Sequence, residues 1–107
     1  MQDRLKTFVE RHPEGWNHDE WLGLLSELER EGQNVPEPAA VGRQLEMIRL
    51  ERELDRRAVP GIGPKRRAAL IDRFGSFGGL RTASIDDVAQ VPSINKSLAE
   101  KVVSAVH

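Results

Sequence analysis

Val59-Pro60-Gly61-Ile62-Gly63-Pro64-Lys65-Arg66 is the stretch that decides how this chain is read. Pro60 drives Val59 into extended backbone and so ends the helix before it. Gly61 and Gly63 lack a Cβ, so both can take positive φ and bring the chain close to another surface. Pro64 suits the first position of a new helix, where its missing N–H is no loss. Ile62, between the glycines, is the apolar anchor of the turn. The stretch therefore predicts two helices joined by a hairpin of a few residues. Lys65, Arg66 and Arg67 then fall in the first turn of the second helix, where free N–H groups already carry partial positive charge. Each such cation costs ~0.3–1 kcal/mol at an exposed site. The arrangement calls for an anion, and a phosphate would meet amides, dipole and side chains together.

A second copy, Val91-Pro92-Ser93-Ile94-Asn95-Lys96, follows at an offset of 32 residues. The same offset pairs Leu70 with Val102 and Ile71 with Val103. A period of this size marks a repeated supersecondary unit, and two units facing one another make one core. Ser93 and Asn95 replace the glycines. Asn enters the left-handed region more readily than Ser. The second hairpin is therefore expected to hold phosphate more weakly.

On these motifs, residues 43–107 resemble a tandem helix-hairpin-helix domain. With Phe74-Gly75-Ser76-Phe77 and Ser84-Ile85-Asp86-Asp87-Val88-Ala89, they are similar to the C-terminal DNA-binding domain of the bacterial excinuclease C family. The resemblance implies that hairpin amides and neighbouring cations hold DNA phosphates without reading bases. It assigns Gly61, Gly63, Lys65 and Arg66 to the first hairpin. Asn95, Lys96 and Ser97 take that part in the second, with Ser93 as the departure. Ile62 and Arg67 complete the candidate DNA-binding set. No family is recognised for residues 1–42, and the nuclease region that precedes this domain in excinuclease C is expected to be missing, its place taken by an acidic helical segment.

Charge follows the same division. The net charge of −1 conceals nine carboxylates against four cations over residues 1–40, and twelve cations against eight carboxylates over residues 41–107. The balance is −5 in the first part and +4 in the part that holds the hairpins. A local excess of cations is what a phosphate-binding module requires.

With 107 residues, 38% hydrophobic and 31% charged, the chain can bury one modest core or two small ones sharing a helix. Cysteine is absent, which excludes disulfides and thiolate metal sites. No apolar run approaches a membrane span. Met1-Gln2-Asp3-Arg4 lacks the apolar core of a secretion signal, so a cytoplasmic location is expected.

Periodicity reads as helix from end to end, giving an all-α fold. Leu5, Phe8 and Val9 line a short first helix that ends near His12-Pro13-Glu14-Gly15. Asn17 with Glu20 has the pattern of a capping box, opening a helix that presents Trp21, Leu24, Leu25 and Leu28 and stops at Gly32. Gln33-Asn34-Val35-Pro36-Glu37-Pro38 predicts a loop. A long helix from about Ala39 to Arg57 turns Val41, Leu45, Ile48 and Leu54 inward and serves both parts of the chain. After Pro64, Ala69, Leu70 and Phe74 face the core, Gly75 caps, and Phe77 and Leu80 form a short connecting turn. Ser84 with Asp87 predicts a second capping box, and the last helix buries Leu98, Val102 and Val106.

Other chemistries are weaker. Gly61-Ile62-Gly63 follows no strand and lacks a third glycine, so it is not a dinucleotide fingerprint, and no phosphate-loop motif occurs. Arg49, Arg52, Arg56 and Arg57 are expected to form a solvated face with Glu46, Glu53 and Asp55, Arg57 being the one nearest the hairpin. Trp16 and Trp21 could stack on bases, but leucines in register with Trp21 favour a helical core. His12, His18, Glu14 and Asp19 lack the helical spacing of a metal set. No catalytic constellation is present, so neither enzymatic activity nor a cofactor is expected. The competing class is a protein-interaction module, in which the repeats dimerise or residues 1–42 dock a partner. The leading reading is a non-catalytic, sequence-independent DNA-binding module.

Overall fold

The computed structural model describes residues 2–33, 35 and 37–107. Their elements are α1 (Gln2–Arg11), α2 (His18–Arg30), α3 (Pro38–Arg57), α4 (Pro64–Phe74), α5 (Phe77–Thr82), α6 (Ile85–Ala89) and α7 (Lys96–Val106). The fold is all-α. Of the loop expected over residues 33–38, Asn34 and Pro36 lie outside the described residues, as does Met1. Pro38 belongs to α3 instead of the loop, since proline is tolerated where a helix has no donor to lose.

Two compact units divide the chain, Met1–Ile48 and Arg49–His107. The division falls inside α3, beyond the 42/43 junction expected from sequence, because Leu45 and Ile48 pack with the first core. The apolar residues of α3 are shared out. Val41 and Leu45 are buried in the first unit, Leu50 and Leu54 in the second. Leu50 was not expected inside.

In the first unit, Leu5, Phe8 and Val9 of α1 pack with Leu24 and Leu28 of α2 and with Val41 and Leu45. Trp16 and Trp21 are half-buried against this core, and Phe8 meets Trp16 edge-on with ring centroids 5.2 Å apart. The tryptophans are thus packing residues. The capping box at Asn17 forms in full. Asn17 Oδ1 accepts from the Glu20 amide at 2.8 Å, and Glu20 Oε1 accepts from the Asn17 amide at 3.0 Å. His12 is engaged on both ring nitrogens, by the Phe8 carbonyl at 2.7 Å and by Glu20 Oε2 at 2.7 Å.

The second unit buries Leu50, Leu54, Val59, Leu70, Phe77, Leu80, Val88, Val91, Ile94, Ala99, Val102 and Val106. The repeat offset orders this core. Val59 and Val91 are both buried, as are Leu70 and Val102, while Ile71 and Val103 are both half-buried. Ile94 is buried and its counterpart Ile62 packs partly against the same cluster. Leu98 is only half-buried, and Ala99 takes the inward position beside Val102. Gly75 caps α4 in the left-handed conformation, donating to the Ile71 carbonyl. Ser84 and Asp87 form the second capping box. Deleting a side chain as deep as Leu70 would cost roughly 2–5 kcal/mol.

The arginine face of α3 is not solvated as a whole. Glu53 is only 3% exposed. Its Oε2 accepts from Arg56 Nη2 at 2.8 Å and from Arg57 Nε at 3.0 Å. Arg57 also donates from Nη1 to the Ala105 carbonyl at 2.6 Å, satisfying an end of α7 that has no intrahelical donor. Burial alone would raise the Glu53 pKa. The hydrogen bonds and charges of Arg56 and Arg57 outweigh it and hold the carboxyl below its ordinary value of 4.5.

Candidate nucleic-acid interface

Each hairpin begins as a tight turn. The Ile62 amide donates to the Val59 carbonyl at 3.2 Å, and the Ile94 amide to the Val91 carbonyl at 3.1 Å. Proline occupies the second position of both turns. The third position is left-handed in both, Gly61 at φ +82° and Ser93 at φ +71°. This is the pattern of a type II turn, whose third residue requires positive φ. Gly61 meets this φ without the strain that a Cβ brings. A Cβ would stand 2.7 Å from Leu98 Cδ2, in addition to the backbone preference.

The following residue pair reverses the expectation from sequence. Gly63 does not use positive φ, because it is the N-cap of α4 and lies extended at φ −86°, ψ −174°. Asn95 is its counterpart, the N-cap of α7 at φ −88°, ψ 176°. N-cap residues take β-region backbone. The left-handed position in the second hairpin therefore falls to Ser93, although Asn is the residue that tolerates it better. The first helical bonds also repeat, Arg67 amide to Gly63 carbonyl and Ala99 amide to Asn95 carbonyl, each at 2.9 Å.

The two helix starts differ in one respect that matters for anions. Asn95 Oδ1 accepts from the Leu98 amide at 2.9 Å and so occupies a first-turn donor of α7. No side chain caps α4. Its Lys65 and Arg66 amides stay open to an outside acceptor.

The cations are placed unequally. Lys65 and Lys96 are exposed and make no ion pair among the described residues. Arg67 Nη1 lies 3.6 Å from Asp55 Oδ1, a carboxylate that is itself 73% exposed, so screening by water keeps that pair weak. Arg66 is half-buried and turned onto backbone. It donates from Nε to the Ser93 carbonyl at 2.8 Å and from Nη1 to the Gly61 carbonyl at 3.2 Å. Ser97 is exposed beside a shallow groove with Pro60, Lys101 and Ser104. Sequence reasoning placed Arg66 on the binding surface and missed its bridge, since a 27-residue separation leaves no local signal. The equivalent position in the second copy is Leu98, so the repeat offered no hint either.

Paired type II turns, each feeding the N-terminus of a helix and sharing one core, define a tandem helix-hairpin-helix domain. Residues 51–107 match the SAM-like helix-hairpin-helix tandem family, and the chain belongs to it. It is 37% identical over 86 residues to UvrABC system protein C of Dechloromonas aromatica, covering 80% of this chain and 14% of that protein. The protein of the same name from Symbiobacterium thermophilum is 49% identical over 67 residues, 55% of this chain and 11% of the relative. That of Pseudomonas aeruginosa is 49% identical over 49 residues, 46% of this chain and 8% of the relative. The chain thus spans a small part of the length of these relatives. The first of these matches is too long to fit within residues 49–107, so it runs on into the first unit. No solved structure matches the chain. Among the described residues, no helix is long and apolar enough to cross a membrane, and no group of His, Asp or Glu is placed to hold a metal ion.

Proposed function

We propose that the chain is a non-catalytic DNA-binding module that holds backbone phosphates through its hairpins, without reading bases. The observation that carries the reading is the open first turn of α4, whose amides have no side-chain cap while Lys65 stands beside them in water. A phosphate there would accept from the amides and neutralise the cation, with the helix dipole adding to both. Lys96, and the weakly screened Arg67, supply further charge. Arg66 contributes by fixing the hairpins side by side. The second hairpin acts chiefly through Lys96, because Asn95 already fills one of its amides. The relatives' name, UvrABC system protein C, together with the resemblance to the excinuclease C family, supports a place in DNA repair.

Binding driven by phosphate neutralisation has a measurable signature. With about four phosphates held, log K falls against log salt with a slope of roughly −3 to −4. Lys65→Ala is expected to weaken all sequences alike and to flatten the slope by about one unit. Titration of the full chain against duplex, forked and single-stranded oligonucleotides reads both effects. A slope near zero overturns the reading. A sharp dimer in size-exclusion chromatography, indifferent to Lys65 and Lys96 substitution, would favour the interaction module.

A further inference from the structure

Phe77 is 3% exposed, and what covers it is unusual in charge. Three guanidinium groups stand against its ring, Arg57 at 5.1 Å, Arg49 at 5.2 Å and Arg81 at 5.6 Å from the centroid. They come from α3 and α5. A ring attracts cations through its two faces only, so three together leave mutual repulsion that the ring does not balance. Glu53 neutralises Arg57. Neither Arg49 nor Arg81 meets a carboxylate among the described residues, and the buried Nε of Arg49 has no hydrogen-bond partner. A guanidinium seated over an aromatic ring loses little freedom on binding and keeps in-plane N–H donors for a phosphate oxygen.

The cluster lies away from the cap of the second hairpin. Arg57, which shares the ring, reaches the Ala105 carbonyl. Ala105 lies ten residues along α7 from the Asn95 cap, or ~15 Å of helix axis. That distance corresponds to about four base pairs of duplex. We infer that Arg49 and Arg81, held on Phe77, form a further phosphate-contact site for the same nucleic acid. The inference rests on the reading of the hairpins as a phosphate grip. Nucleic acid is the fitting polyanion because the unit that carries this cluster also carries the hairpins, and bears eleven cations against seven carboxylates over residues 49–107.

The test compares the full chain with the Arg49→Gln, Arg81→Gln double variant on a duplex of about 20 base pairs, across a range of salt. Loss of two phosphate contacts is expected to flatten the slope by roughly two units. Arg81→Gln alone, an exposed position, is expected to remove about one unit and serves if the double variant does not fold. Arg81→Lys, which keeps the charge, retains the slope. Wild-type slopes in a folded variant overturn the site. Lys65→Ala separates the two ideas. If it weakens binding while the arginine variants do not, only this site fails. If neither substitution matters, the hairpin reading fails with it.

Discussion

The guanidinium of Arg66 donates to the carbonyl of Ser93 at 2.8 Å, joining two hairpins that lie 27 residues apart along the chain. Its other acceptor is the Gly61 carbonyl, and Gly61 and Ser93 are equivalent residues of the two repeats. One side chain therefore binds the same point of both left-handed turns. The two bonds leave different nitrogens of a planar fork, Nε and Nη1, whereas a lysine ammonium gathers its donors on one atom at the end of a flexible stem.

Arg66→Lys consequently tests structure apart from charge. Losing two hydrogen bonds from a charged, half-buried donor is expected to cost about 1–2 kcal/mol, discounted for exposure. In a domain of this size that lowers the melting temperature by roughly 4–8 °C per kcal/mol. The salt slope of DNA binding should change little, since the charge remains. A Lys variant that melts with the wild type would remove the bridge from the account of how the hairpins are held together.

Ser93 adopts φ +71° without being glycine, and left-handed backbone costs an L-residue roughly 1–2 kcal/mol. Part of that is returned as chain entropy when glycine replaces it. Ser93→Gly is therefore expected to stabilise by about 0.5–1 kcal/mol, seen as a higher midpoint in thermal or urea unfolding. Gly61→Ala runs the opposite way at the equivalent position, with the Leu98 contact added. Pairing it with Leu98→Ala should relieve the crowding and leave the backbone cost. Destabilisation by Ser93→Gly would show that the serine hydroxyl matters more than its φ.

Glu53 gives the second unit an acid-sensitive joint. Its folded pKa lies below 4.5, so the unfolded chain takes up a proton first as the pH drops. The stabilisation is complete above the unfolded value and is lost as the pH falls through the folded one. Glu53→Gln should remove that dependence, so the stability gap between wild type and variant narrows as the pH falls through 4.5 and below. Glu53→Ala leaves Arg57 without its carboxylate and is expected to cost roughly 2–3 kcal/mol at neutral pH, below the range for fully buried pairs because Arg56 remains in water. A constant gap across that pH range would count against the ion pair.

Much of this architecture was legible in the residues because local signals acted alone. Proline before a turn, paired capping residues and a fixed offset each constrain backbone within a few positions, and the hairpins and helix starts follow them. What was hidden depends on partners distant in sequence. Glu53 looked like one of several carboxylates on a charged face, yet it is buried beside Arg57, whose other bond goes to Ala105, 48 residues away. Arg81 meets Phe77 at the four-residue spacing of α5, but Arg49 and Arg57 reach the same ring from α3, and no spacing rule foretells that. The exchange of roles between Ser93 and Asn95 has a different cause. Propensity favoured Asn for positive φ, but the same side chain is also a strong N-cap, and the position next to α7 rewards capping.

Asn95 offers the closest test of whether bare amides or side-chain charge hold the phosphate. Its Oδ1 occupies the Leu98 amide, while the corresponding Arg66 amide of α4 has no side-chain cap. Asn95→Gly gives α7 the N-cap residue that α4 has, and a glycine at this position costs only a few tenths of a kcal/mol. Combined with Ser93→Gly, it gives the second hairpin the Gly-x-Gly of the first. If open amides bind phosphate, this double variant should hold duplex DNA more tightly than wild type at equal salt. Its slope against log salt should steepen by up to about one unit, for one added phosphate. If Lys65 and Lys96 alone carry the affinity, binding and slope stay as they are, and the amides of the uncapped helix lose their part in recognition.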